Sequence, residues 1–234
     1  MAEQLTRRDE LAARLRDFKA RIALACGVAG RDPSEITLIV VTKTFPASDV
    51  RLLAELGITD VGESRHQEAG AKVAECADLP VRWHFVGQLQ RNKAAAVARY
   101  ATVVHSVDRP RLVAALDRGA EAADRPVECF VQVSLDDTPG RGGAAGEQAL
   151  EVADRISAAE FLRLAGVMAV APLGEDPDAA FAALRAVAEV VQNRHAAAKS
   201  ISAGMSEDFE AAIRNGATHL RVGSAILGKR PPAV

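Results

Sequence analysis

Ile36-Thr37-Leu38-Ile39-Val40-Val41-Thr42-Lys43-Thr44-Phe45-Pro46 is a short, nearly all-apolar run that ends in one amine and then a proline. Consecutive aliphatic residues without polar alternation give a strand buried on both faces, the pattern of parallel sheets. Pro46 marks the exit into a loop. Lys43 therefore stands at the carboxyl end of a buried strand. Burial disfavours an ammonium ion, lowers the pKa, and leaves some neutral amine able to attack a carbonyl carbon. A lysine reaching past the strand end into solvent satisfies the same segment, so the segment alone leaves both readings open.

Outward from this strand the pattern recurs. Apolar runs at 59–62, 83–87, 102–106, 127–134, 162–169, 199–202 and 219–222 alternate with helical patterns at 48–56, 67–77, 92–100, 110–123, 146–156, 177–195 and 207–215. Gly57 and Gly216 stand where helix C-caps are expected. Residues 5–26 carry Leu5, Leu11, Leu15, Phe18, Ile22 and Leu24 among charges, which predicts an amphipathic helix. Eight strand–helix alternations fit a closed barrel or an open doubly wound sheet, and eight units within 234 residues match the compact barrel. The expected fold is α/β: a single (β/α)8 TIM-type barrel domain over 1–234, with an extra N-terminal helix (1–27) on its bottom or side. No linker, charge block or low-complexity tract divides the chain.

Charged residues make up 26% of the chain with a net charge of -2, which gives no reason to expect nucleic acid or a membrane as the main partner. Cys26, Cys76 and Cys129 are odd in number and lack CxxC or metal spacing, as reduced structural thiols do. The first ten residues lack an apolar signal-peptide core, and no apolar stretch approaches membrane-spanning length. A cytoplasmic protein is expected.

In a barrel, the loops that follow the strands meet on one face. That face would collect Lys43, Gly62-Glu63-Ser64-Arg65, Gly87-Gln88-Leu89-Gln90, Asp108-Arg109, Ser134-Leu135-Asp136-Asp137, Met168, Gly204-Met205-Ser206 and Arg221-Val222-Gly223-Ser224. The last two loops offer hydroxyls and unobstructed backbone N–H groups suited to a phosphate, although Ser206 as a plain helix cap is equally consistent. Arg221 can donate to a ring nitrogen or a carboxylate from within its strand, or pair at the rim with an acid. His84, in Trp83-His84-Phe85-Val86-Gly87, is at a position typical of a hydrogen-bonded core histidine. Five dispersed histidines and no HExxH argue against a metal site. The glycines of 139–146 lack the strand-to-helix context of a dinucleotide fingerprint, so a flexible surface loop is expected there. No Walker A segment, GxSxG elbow or Cys/His nucleophile pattern occurs.

Taken in order, six segments make the chain resemble the pyridoxal phosphate homeostasis proteins (the YggS or PROSC family), whose fold is similar to the N-terminal barrel of alanine racemase. They are Val41–Pro46, Gly62–Glu68, Trp83–Lys93, Ser106–Asp108, Gly204–Asp208 and Arg221–Gly228. The resemblance implies that Lys43 forms a Schiff base with pyridoxal 5′-phosphate. It implies that Ser206, Gly223 and Ser224 hold the phosphate and that Arg221 faces the pyridine nitrogen. The candidate cofactor-binding set is Lys43, Ser64, His84, Met168, Met205, Ser206, Arg221, Gly223 and Ser224, with no catalytic residue and no metal ligand assigned. Ser64 and Ser134 depart from the family, which usually has asparagine at both places.

An arginine at the pyridine nitrogen cannot accept a proton, so it favours the neutral nitrogen and a weaker electron sink. Racemases of this fold add a second domain and a partner subunit that supply a tyrosine base. This sequence runs only six residues past Gly228 and has one tyrosine, Tyr100, in a helical pattern. The expectation is a monomeric carrier or buffer of pyridoxal phosphate in vitamin B6 homeostasis, serving pyridoxal phosphate-dependent apo-enzymes without turnover. A pyridoxal phosphate-dependent racemase or lyase is the rival reading, and a cofactor-free lysine Schiff-base aldolase a third.

Overall fold

The computed structural model describes residues 6–136 and 142–229. Eight parallel strands pair in chain order and close into a barrel: β1 (Thr37–Val41), β2 (Asp60–Glu63), β3 (Arg82–Phe85), β4 (Val103–Val107), β5 (Val127–Gln132), β6 (Leu162–Met168), β7 (Ser200–Ser202) and β8 (His219–Val222). Closure comes from β8 returning to β1, with Thr37 opposite His219 and Val40 opposite Val222. The open sheet is thereby excluded. Helices α2 (Ala47–Glu55), α3 (His66–Glu75), α4 (Ala94–Ala98), α5 (Pro110–Ala122), α6 (Glu147–Ser157), α7 (Pro177–Arg194), α8 (Phe209–Arg214) and α9 (Ser224–Leu227) follow the strands in turn.

Three boundaries differ from the sequence pattern for local reasons. β5 stops at Gln132 because Val133 makes only an isolated bridge to Ala144 and Ser134 N donates to Ala144 O. The helix expected over 92–100 is a 3-10 turn, Arg91–Lys93, followed by α4. α8 starts at Phe209 because the Asp208 carboxylate turns back to accept from Met205 N at 2.6 Å. The glycine-rich loop falls partly on residues 137–141, outside those described.

The N-terminal helix, α1 (Arg7–Val28), is capped by Thr6, whose hydroxyl accepts from Asp9 N. Its buried stripe is Leu11, Leu15, Phe18, Ile22, Ala25 and Cys26. Leu24 lies outside that stripe, 72% exposed, because two residues rotate a helix by about 200° from Ile22. α1 packs against α8 and α9 on the side of the barrel, near the β8–β1 seam, with the Phe18 and Phe209 rings 4.7 Å apart. It occupies the side that the four-residue α9 is too short to cover.

Two apolar regions result. A continuous core fills the layer between strands and helices, joining Val40, Val61, Val104 and Val222 to Leu53, Leu116, Val152 and Ile213. Inside the barrel a small separate cluster, Val103, Phe130 and Met168, shares the lumen with His84, His105, Ser202 and Arg221. His105 stacks on Phe130 at 4.5 Å, and the Phe130 ring meets His219 at 5.1 Å. Barrels commonly fill this space with branched aliphatic side chains; here half of it is polar. Among the described residues, no helix is long and apolar enough to cross a membrane.

Candidate functional site

β1 delivers Lys43 through a tight turn. Thr42 N donates to Gly62 O at 2.9 Å, keeping the strand paired to its last residue, and Phe45 N donates to Thr42 O at 3.0 Å. Thr44, third in that turn, has φ 68°, a left-handed conformation uncommon for a β-branched residue. Such outliers persist where surrounding structure holds them, and this one fixes the direction in which Lys43 leaves the strand. Lys43 is half-buried and lines a cavity of about 610 Å³ at the C-terminal face of the barrel.

The opposite wall is built by the loops after β7 and β8. Gly204, with φ 90°, turns the chain where a Cβ would come within 2.8 Å of Ala212. Beyond it, Ser206 Oγ accepts from Ala225 N at 3.3 Å and from Ser224 Oγ at 3.2 Å. Two hydroxyls and the glycine backbone at the start of α9 are thus gathered at one place. The lack of a side chain at Gly87 lets the loops after β2 and β3 close up beside Ser64, since a Cβ there would stand 2.1 Å from Ser64 O.

Arg221 enters between these walls, only 6% exposed. Its Nη1 donates to Ser202 Oγ at 2.7 Å and its Nη2 to Ala169 O at 2.9 Å. Burial lowers its pKa to about 10, opposed by the charge of Asp208, so the guanidinium stays charged at neutral pH.

Lys43, Ser64, Met205, Ser206, Arg221, Gly223 and Ser224 all line the one cavity. His84 and Met168 do not. His84, 1% exposed, hydrogen-bonds Asp60 Oδ1 at 2.8 Å and His105 Nε2 at 2.9 Å in the lumen. Met168 packs in the lumen cluster with Val103 and Phe130. Ser134 is likewise turned elsewhere, donating to Asp136 O. The cavity therefore places a primary amine, a buried donor-only cation and a hydroxyl-rich anion cradle on separate walls. That set suits a ligand carrying an aldehyde, an acceptor nitrogen and a phosphate.

Sequence reasoning missed the supports beneath Lys43. Lys72, on α3 and 7% exposed, donates to Thr42 O at 2.8 Å and pairs with the buried Glu63, which also accepts from Thr42 Oγ1 at 2.7 Å. On the outside, Arg7 ties together Asp49, Leu227 O and the face of Phe45, joining α1 to both the Lys43 turn and the end of α9. Neither residue breaks a helical pattern, so nothing short of the folded contacts marks them.

The buried histidines make stability depend on pH. Burial first, with the charge of Arg82 acting in the same sense, lowers His219 to about 4, and burial lowers His84 and His105 in the same direction. A folded pKa below the unfolded value of about 6.5 means the unfolded chain binds more protons as pH falls. Stability is therefore complete above about pH 6.5 and lost toward pH 4, with His219 alone contributing on the order of 3 kcal/mol. Urea midpoints at pH 7.5 and pH 4.5 should differ, the acid one being clearly lower; equal midpoints would refute the assignment.

The sequence model of the alanine racemase N-terminal domain matches residues 10–231. The pyridoxal phosphate homeostasis protein of Mycobacterium leprae is 43% identical over 241 residues, covering 95% of this chain and 93% of that protein. Its namesake from Mycobacterium tuberculosis is 45% identical over 244 residues, covering 96% and 94%. Among solved structures, PipY of Synechococcus elongatus PCC7942 with PLP bound superposes with a TM-score of 0.81 at 32% identity, covering 93% of this chain and 100% of that one.

Proposed function

The chain belongs to the alanine racemase N-terminal domain family and, within it, to the pyridoxal phosphate homeostasis proteins, and from that premise we propose that it binds pyridoxal 5′-phosphate as a Schiff base on Lys43. The observation that carries the proposal is the single cavity lined by Lys43, Arg221, Ser206 and Ser224. Lys43 Nζ adds to the aldehyde carbon and a water molecule leaves, so the link forms and breaks without any other reactant. Ser206, Ser224 and the backbone N–H groups beside Gly223 hold the phosphate, and Arg221 donates to the ring nitrogen. The cofactor supplies the aldehyde and a ring able to draw electrons from an attached carbon.

The protein's own groups favour storage over turnover. Arg221 gives the ring nitrogen a donor that keeps its proton, which leaves the ring a weak electron sink. Tyr100, the chain's only tyrosine, does not line the cavity. Lacking that base, the holoprotein is expected to exchange the α-proton of an L-amino acid in deuterated water no faster than free cofactor does. Exchange at enzyme-like rates would replace this reading with the racemase or lyase. Release to apo-enzymes through the open face, from a cytoplasmic monomer, completes the proposal.

The phosphate assignment has its own test. The double variant Ser206→Ala/Ser224→Ala should weaken pyridoxal phosphate about tenfold, as expected for two lost hydrogen bonds that water partly replaces, each worth a net of about 0.7 kcal/mol. Pyridoxal, which lacks the phosphate, should bind both proteins alike. Equal losses for both ligands would move the phosphate elsewhere.

A further inference from the structure

We infer that Arg221, Ser202, His105, His84 and Asp60 form a one-way hydrogen-bond chain through the barrel lumen that positions Arg221 from the opposite end of the barrel. The links are continuous. Arg221 Nη1 meets Ser202 Oγ at 2.7 Å, Ser202 Oγ meets His105 Nδ1 at 2.8 Å, His105 Nε2 meets His84 Nδ1 at 2.9 Å, and His84 Nε2 meets Asp60 Oδ1 at 2.8 Å. Four of the residues are inward positions on β8, β7, β4 and β3, and Asp60 opens β2 at the N-terminal face. Ser202, His105 and His84 are buried outright.

The two ends fix the direction of every proton. A guanidinium only donates, so Ser202 Oγ accepts from Arg221. An ionised carboxylate only accepts, so His84 carries its proton on Nε2 and presents Nδ1 as an acceptor. His105 must then donate from Nε2, which leaves its own Nδ1 to accept the hydroxyl proton of Ser202. Both histidines are assigned as neutral Nε2–H tautomers, and the two ends demand the same answer. Burial works against the Asp60 carboxylate, but the hydrogen bonds from His84 and Thr59 and the charge of Arg82 oppose it, and its pKa is lowered. Burial also keeps both imidazoles uncharged.

Among the described residues no carboxylate pairs directly with Arg221; its hydrogen bonds run to Ser202 and Ala169. The chain supplies the negative end beyond three intervening side chains, Ser202, His105 and His84, and leaves Arg221 itself facing the cavity as a donor. Ser202 cannot offer its proton to a ligand, because His105 takes it. The neighbours that could compete are Arg82, 3.5 Å from Asp60 Oδ1 and 3.1 Å from Glu128 Oε2, and His219, whose ring centroid lies 6.4 Å from that of His105. The consequence for cofactor recognition rests on the proposed pyridoxal phosphate site; the proton order does not.

Nitrogen-15 NMR of histidine side chains in the full, ligand-free chain at pH 7 tests this order. Both His84 and His105 should appear as single Nε2–H tautomers. Asp60→Asn keeps the shape but can donate as well as accept, so it should let Nδ1–H forms appear at both histidines, including His105, which does not touch residue 60. In the loaded protein the same variant should weaken pyridoxal phosphate about threefold. A charged or Nδ1–H histidine in the wild type overturns the inference, as does a variant in which only His84 responds. A wild type that takes up no pyridoxal phosphate would fail the reading of the cavity, and the tautomers would still decide the chain.

Discussion

Lys43→Ala is expected to abolish the imine absorbance that pyridoxal phosphate develops on the wild type and to weaken binding by about a hundredfold, some 2.7 kcal/mol. The magnitude follows from what the variant retains. In the proposed site Ser206, Ser224 and Arg221 would still meet the phosphate and the ring, so residual non-covalent binding is expected, but no amine would close the link. Folding should be untouched, because Lys43 is half-buried in a loop at the barrel mouth and its truncation opens no core cavity. Equilibrium dialysis with an absorbance titration reads both effects. An undiminished imine band would mean that another lysine carries the cofactor. Lys72 is poorly placed to do so, since its ammonium is held by Glu63 and Thr42 O.

Lys72→Met is expected to destabilise the fold by about 3–5 kcal/mol, the usual result of leaving one partner of a buried ion pair behind. Glu63 is fully buried, and its Oε2 has no hydrogen-bond partner among the described residues. Without the ammonium, a desolvated carboxylate keeps only the hydroxyl of Thr42. Methionine preserves most of the stem volume, so packing loss stays small. Because Lys72 also holds Thr42 O, the residue before Lys43, the same variant should weaken pyridoxal phosphate. Adding Glu63→Gln should recover most of the lost stability, and urea unfolding of the single and double variants measures the coupling. A single-variant loss below about 1 kcal/mol would contradict the role given to the pair.

What the sequence made legible was whatever repeats or punctuates. β1 could be read from its unbroken apolar run and Pro46, and eight such units made the barrel. Loop convergence on one face of such a barrel then groups Lys43, Ser206 and Ser224 from the sequence alone. The lumen was not legible. His105 is followed directly by Ser106 in β4, and Ser202 ends a β7 that reads Ser-Ile-Ser, so no period singles out either one as facing the lumen. They become a chain only when the closed sheet aligns β3, β4, β7 and β8 at the right heights. His84 was assigned both to the core and to the cofactor, and the barrel places it away from the cavity wall. Lys72 resembles any surface lysine on a helix until α3 turns it inward onto Glu63. The short α8 followed from a side chain, Asp208, returning to its own loop, a local competition that helical periodicity does not record.

The central claim is that Lys43 Nζ is the atom that takes the aldehyde. Borohydride reduction of the protein loaded with pyridoxal phosphate, followed by peptide mass spectrometry, tests it most directly. The reduced pyridoxyl phosphate adduct should appear on the peptide containing Lys43 and on no other lysine at comparable occupancy. An unmodified Lys43 peptide beside a fully reduced adduct elsewhere would contradict the account.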